Sequence, residues 1–190
     1  MRALFDVGIP SIDGLRYQGE FISREEELAL TSAIRKLEFG AVVFRGVEAR
    51  RRVVQFGWDY EFGSRKATPA EPVPEFLLAL RKQAGELIGL DPARLEEVLV
   101  TEYQPGAGIG WHCDAPPFGV IVGVSLLSAC TMRLRPRRGV AGSPVSIDLA
   151  PRSVYAFDGV VRSEWEHSIP PAKELRYSVT FRTMRRSASR

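Results

Sequence analysis

His112-Cys113-Asp114 sets an imidazole and a carboxylate two residues apart. In an extended strand, side chains at i and i+2 share a face, so His112 and Asp114 converge while Cys113 points away. Only one other histidine is present, His167, 55 residues downstream. Two histidines and one carboxylate on one face of a metal make the facial triad of non-haem Fe(II) oxygenases, which leaves positions open for a co-substrate and O2. His-x-Asp alone is a weak signal, because a histidine is more often structural or exposed than a ligand. The segment Arg176-Tyr177-Ser178-Val179-Thr180-Phe181-Arg182 strengthens it. Alternation puts Arg176, Ser178, Thr180 and Arg182 on one strand face, and two guanidinium forks suit the two carboxylates of a dicarboxylate. The competing reading is ion pairing along an exposed edge strand.

Composition limits the alternatives. Of 190 residues, 45% are hydrophobic and 26% charged, with a net charge of +3, the balance of an ordinary globular chain. No apolar run approaches the ~18 residues that cross a bilayer, so no membrane partner is expected. Asp6 sits where a secretory leader carries apolar residues, and two cysteines, Cys113 and Cys130, cannot frame a disulfide scaffold. Both point to the cytoplasm. Cys113, beside Asp114, reads either as a redox switch or as a neutral, buried thiol. Arginine exceeds lysine 22 to 4, which reflects either codon usage or an anionic partner. The clusters are Arg50-Arg51-Arg52, Arg133 to Arg138 and the tail from Arg182.

The positioning elements follow. Ser23 and Glu26 form a capping box ahead of Leu30, Ala33, Ile34 and Leu37, which predicts a helix over 24–38 ended by Gly40. Pro74 opens a second helix over 75–88, and Gly89 stops it. Strands are expected at 41–44 and 52–56, with an exposed loop over 57–73. After residue 96 come short β runs at 97–103, 119–127, 130–135, 144–149, 153–157 and 175–183. Such spacing predicts an α+β, mainly β, double-stranded β-helix (jelly roll) with the N-terminal helices packed on one face. One domain is expected over 1–190, with a jelly-roll core at 97–183 and a flexible tail at 185–190.

The run Thr101-Glu102-Tyr103-Gln104-Pro105-Gly106-Ala107-Gly108-Ile109-Gly110-Trp111-His112-Cys113-Asp114 resembles the "xxYxPGxxIxxHxD" signature of the AlkB family of Fe(II)/2-oxoglutarate dioxygenases. Arg176 to Arg182 resembles that family's "RYNxTFR" strand, and residues 152–169 resemble its strands up to the second metal histidine. The resemblance implies that His112, Asp114 and His167 bind Fe(II) and are catalytic. It implies that Tyr103 hydrogen-bonds 2-oxoglutarate, that Arg176 pairs with the distal carboxylate, and that Arg182 lies near the carboxylate at the keto end. Ser178 and Thr101 stand where the family usually has Asn. The implied reaction is oxidative decarboxylation of 2-oxoglutarate by O2 with hydroxylation of a C–H bond; on an N-methyl group the product loses formaldehyde.

In the AlkB family a lid before the barrel recognises the substrate, and the matching stretch is about 41–66. Arg51-Arg52-Val53-Val54-Gln55-Phe56-Gly57-Trp58-Asp59-Tyr60 resembles the "RRxxxYGYxF" stretch of tRNA-modifying AlkB homologues. A flipped or single-stranded base needs an aromatic plane and polar edge contacts. Trp58 and Tyr60 are the stacking candidates, and Arg51 or Arg52 the phosphate candidates. Trp58 packing the lid onto the barrel is an equal reading, and Trp111 and Trp165 are expected in the core. DNA-repair members carry an acid two residues beyond the metal Asp, but here that position is Pro116, which has no polar group for a base edge. The expected function is therefore demethylation or hydroxylation of alkylated or modified bases in DNA, as in DNA repair, or in RNA or tRNA, by a monomer. Two alternatives stand: the same chemistry on a protein or small molecule, and a nucleic-acid-binding domain without turnover.

Overall fold

Ser23 begins the first helix as the capping box requires. Its Oγ accepts from Glu26 N–H at 3.1 Å, and its own N–H donates to Glu26 Oε2 at 2.7 Å. This helix, α1, covers Arg24–Ile34. It ends four residues before the expected limit, because N–H groups of Lys36 and Leu37 bond three residues back in tighter turns before the chain enters a strand. Helix α2 covers Glu75–Ile88 as expected, and Gly89 stops it at φ +70°, a left-handed value that glycine adopts without strain. The computed structural model describes residues 10–44, 46–61 and 66–185.

The strands are β1 Leu15–Gln18, β2 Gly40–Phe44, β3 Val47–Phe56, β4 Trp58–Glu61, β5 Lys66–Pro69, β6 Leu95–Tyr103, β7 Ile109–His112, β8 Phe118–Leu126, β9 Cys130–Pro136, β10 Val145–Leu149, β11 Val154–Phe157, β12 Trp165–Ile169 and β13 Arg176–Met184; a short helix α3, Gly159–Glu164, precedes β12. A seven-stranded sheet runs β1-β11-β8-β13-β6-β3-β2, and a four-stranded sheet runs β10-β9-β12-β7. This is the expected mainly β jelly roll. The region expected to be a loop over 57–73 instead contains the β4–β5 ribbon. Gly57 makes that turn at φ +76°, where an added Cβ would lie 2.0 Å from the Glu96 carbonyl oxygen. The expected lid is partly built into the large sheet, since β3 pairs with β6. Arg185 of the expected tail is held to the fold, with its N–H on Pro117 O and its Nε on Phe118 O; the rest of that tail lies outside the described residues.

Two cores lie on either side of the large sheet. Val98 and Val100 of β6 and Tyr177, Val179 and Phe181 of β13 face the helices, meeting Leu30, Ile34, Leu77, Leu80 and Ala84. The intervening residues face the small sheet, where Tyr103, Ile121, Met132, Leu134, Tyr155 and Phe157 pack together. The period of two thus divides β6 and β13 into a face that anchors the helices and a face left for the site. Leu77 of α2 is fully buried in the first core while its neighbour Leu78 is 45% exposed. Leu77→Ala is expected to cost about 2–5 kcal/mol in urea unfolding, and Leu78→Ala within about 0.5 kcal/mol.

Candidate active site

His112 and His167 are direct cross-strand partners on β7 and β12. Their rings lie 4.2 Å apart. β7 ends at His112, so Asp114 sits just beyond the strand rather than within it. Its Oδ2 is 3.6 Å from His167 Nε2. Two ligands at right angles on one metal, each about 2.1 Å from it, would be about 3 Å apart. Among the described residues no three His, Cys, Asp or Glu side chains are closed into a finished metal cage, and the Asp114–His167 pair stands wider than that spacing. The donor chemistry fits a divalent metal. His112 Nδ1 lies 2.9 Å from the Gly110 carbonyl, which can only accept, so Nδ1 carries the proton and Nε2 keeps its lone pair. Burial, aided by His112, holds the His167 imidazole down at about 3, neutral. Burial alone would raise the Asp114 carboxyl, but Arg182, with help from the histidines, holds it at about 2, ionised.

A cavity of about 510 Å³ lies against these side chains, between the two sheets. Thr101 and Tyr103 of β6, and Ser178, Thr180 and Arg182 of β13, line it. Thr101 and Ser178, the two replacements for Asn, are cross-strand partners, so the space left by their shorter side chains is contiguous. β13 is the central strand of its sheet, so the edge-strand reading of its arginines fails. Arg176 is 1% exposed. Its Nε donates to Ser125 Oγ at 3.1 Å and its guanidinium lies 5.1 Å from the Tyr103 ring, yet Nη1 and Nη2 have no hydrogen-bond partner. A buried guanidinium with two free nitrogens carries a large desolvation cost unless an anion meets it.

Arg182 is engaged differently. Nη1 donates to both oxygens of Glu97, at 3.0 and 3.1 Å, and Nη2 donates to Asp114 Oδ1 at 2.9 Å. Glu97 is wholly buried and had no part in the sequence reading. It lies directly across from Arg182 on β6; that strand also carries Glu96 and Glu102, so no sequence signal singles Glu97 out. Arg162 of α3 was also missed. It donates to the carbonyls of Asp114, Ala115, Phe118 and Gly119 and so ties down the loop that carries Asp114. No local pattern marks that role, because its partners are backbone atoms more than 40 residues away.

The lid candidates separate. Arg51 and Tyr60 line the cavity; Tyr60 packs edge-on to Phe118 with ring centroids 5.9 Å apart. Arg52 faces the other side of β3, held by Glu102 at 2.7 Å, with its guanidinium 5.8 Å from the Phe39 ring. Trp58 lies half-buried on the β4–β5 ribbon, away from the cavity lining. Pro116 is exposed in the loop after Asp114. Trp165 is buried as expected, but Trp111 is 38% exposed at the cavity edge. It sits on edge strand β7, where Arg135 stacks on its ring at 4.3 Å. Cys113 is half-buried, its Sγ 3.4 Å from the Trp165 carbonyl, and burial pushes its thiol up, away from the reactive thiolate.

Two antiparallel sheets closed around a cavity of this kind are the architecture of the double-stranded β-helix oxygenases. The chain belongs to the 2OG-Fe(II) oxygenase superfamily, whose family model matches residues 19–186. It is 30% identical over 166 residues to the Mus musculus tRNA (carboxymethyluridine(34)-5-O)-methyltransferase ALKBH8, covering 84% of this chain but only 24% of that protein. The chain thus spans about a quarter of the mouse relative's length. It is 26% identical to uncharacterized protein L905 of Acanthamoeba polyphaga mimivirus, covering 92% of this chain and 86% of that one. The structure of OsALKBH1 shares the fold, with a TM-score of 0.74 at 17% identity over 90% of this chain and 96% of that one.

Burial, opposed by Arg182, pushes the Glu97 carboxyl from 4.5 up to about 7. A raised carboxyl binds its proton more tightly folded than unfolded, so its stabilising contribution is present below about pH 4.5 and is lost as pH rises to about 7. Glu97→Gln cannot ionise. Its melting temperature, measured with chelator present, is expected to rise relative to wild type between about pH 5 and pH 8; a pH-independent difference would contradict this assignment.

Proposed function

We propose that this chain is an Fe(II)- and 2-oxoglutarate-dependent dioxygenase that hydroxylates or demethylates modified bases in nucleic acid. The observation that carries the reading is the pair of unpartnered nitrogens on buried Arg176, on the same strand as the arginine that holds Asp114. His112, Asp114 and His167 would hold Fe(II). Arg176, with Tyr103 beside it, would take the distal carboxylate of 2-oxoglutarate. Arg182 orients Asp114, and its own unpartnered Nε is the group free for the carboxylate at the keto end. Ser178 and Thr101 line the wall between. Bound Fe(II), with 2-oxoglutarate and O2, supplies the oxidation that forms succinate and CO2 and places one oxygen atom on a substrate carbon. The chain's own residues position that carbon and exclude water: Tyr60 and Phe118 close one side, and the hydrophobic residues of β3 another.

The cavity volume suits a base-sized ligand, and Arg51 on β3 lines it. The mouse relative is named for tRNA modification, which supports RNA among the substrates. No helix among the described residues is long and apolar enough to cross a membrane. A cytoplasmic location and a monomeric state belong to the same proposal. A pure binding module has no use for an unpaired buried guanidinium beside a His-Asp-His cluster, so turnover is favoured over binding alone.

The test loads the protein anaerobically with Fe(II) and follows O2-dependent succinate release from 2-oxoglutarate. Methylated DNA, tRNA and peptides are then screened for coupled formaldehyde or hydroxylated product. Stimulation by peptides alone would overturn the nucleic-acid assignment. His112→Ala is expected to abolish succinate release. Arg176→Lys, which keeps the charge but loses the fork, is expected to weaken 2-oxoglutarate binding about tenfold or more, read by calorimetry.

A further inference from the structure

Among the described lid residues, Arg51 is the cation turned into the cavity, and alternation along β3 aims it there. Residues Val47, Ala49, Arg51, Val53 and Gln55 of β3 line the cavity in alternation. Between β2 and β3, Ala41 pairs with Arg52 while the next residue, Val42, pairs with Ala49, leaving Arg50 and Arg51 unmatched in a bulge. Bulges recur beside active sites.

The surroundings of Arg51 are largely apolar, and the Tyr103 hydroxyl is the titratable group that acts on it electrostatically. Val42, Val47, Ala49 and Val53 form the wall near it in the sheet. Asp114 is the only carboxylate lining the cavity among the described residues, and Arg182 holds it. Gln55 is committed to Asp59 and to the Tyr60 N–H. Arg51 has no hydrogen bond or ion pair among the described residues, and burial lowers its affinity for its proton. Half-buried cations in apolar walls are ordinarily paired.

2-Oxoglutarate does not supply the partner. Its two carboxylates are met by Arg176 and by the metal site with Arg182, under the reading proposed above, on which this inference rests. An anion for Arg51 must then arrive with the other substrate. We infer that Arg51 docks an oxyanion carried by the nucleotide being oxidised, either the phosphate flanking it or a carboxylate on its base. The guanidinium fork binds both oxyanions in the same bidentate way, and neutral bases lacking such a group would be poor ligands.

The test is equilibrium binding, with 2-oxoglutarate and Mn(II) present under anaerobic conditions. Matched charged and neutral probes are compared: nucleoside 5′-monophosphates against nucleosides, a carboxymethylated nucleoside against its methyl ester, and a phosphoserine peptide against its serine form. A charged probe is expected to bind wild type about tenfold or more tighter than its neutral match. Arg51→Gln should erase that preference, Arg51→Lys should restore part of it, and 2-oxoglutarate affinity should move less than twofold. Preference within the monophosphate or the carboxymethyl pair identifies the source of the oxyanion. Preference confined to the peptide pair and dependent on Arg51 upholds the anion site and overturns the nucleic-acid reading. Absence of any charged preference, a preference that survives Arg51→Gln, or a loss of 2-oxoglutarate affinity instead overturns the role of Arg51.

Discussion

One guanidinium joins the parts of this site. Arg182 reaches from the central strand of the large sheet to Glu97 on the next strand and to Asp114 in the loop beyond β7. Above about pH 7, where Glu97 ionises, two carboxylates and one guanidinium leave a net negative charge in a place that water barely reaches. A buried pair gains little over apolar packing, but removing one member exposes the full desolvation cost of the others. Here the geometry gives the arrangement a use: the surplus negative charge lies next to the imidazoles of His112 and His167, a setting that favours a bound cation. Asp114 therefore owes its position less to its own segment than to a residue 68 positions later.

Much of the architecture was legible because it rests on local rules. The capping box at Ser23 and Glu26, the second helix from Glu75 to Ile88, and the alternation along β13 are set by neighbours three or four residues away, or two. The elements that escaped notice were short or were stabilised from afar. β7 carries Gly110 and follows Gly108, and no strand is expected from 104 to 111, yet one forms because β12 supplies its partner. The β4–β5 ribbon was hidden in a stretch rich in glycine, proline and charge.

The site divides along the same line. The types and spacing of His112, Asp114, Arg176 and Arg182 could be read directly, and resemblance supplied His167 with a partner. Which lid arginine faces inward follows from alternation along β3, but which face of that strand meets the cavity is set by its pairing with β6, far away in sequence. Alternation alone sets Trp58 and Tyr60 on one face of β4, yet Tyr60 lines the cavity and Trp58 does not. Glu97 and Arg162 act through contacts across long sequence separations, which no motif encodes.

The large sheet has one further consequence. β6 and β13 are each read twice, once by the helices and once by the cavity, and no residue serves both. Val98, Val100, Val179 and Phe181 answer to the helices, whereas Thr101, Tyr103, Ser178 and Arg182 answer to the cavity. Volume-conserving exchange on the first set is tolerated by cores of this kind and leaves the second set where it was. The two faces are thus free to diverge at different rates, and a lineage could rebuild its helical backing while keeping its reaction, or retune its substrate without refolding.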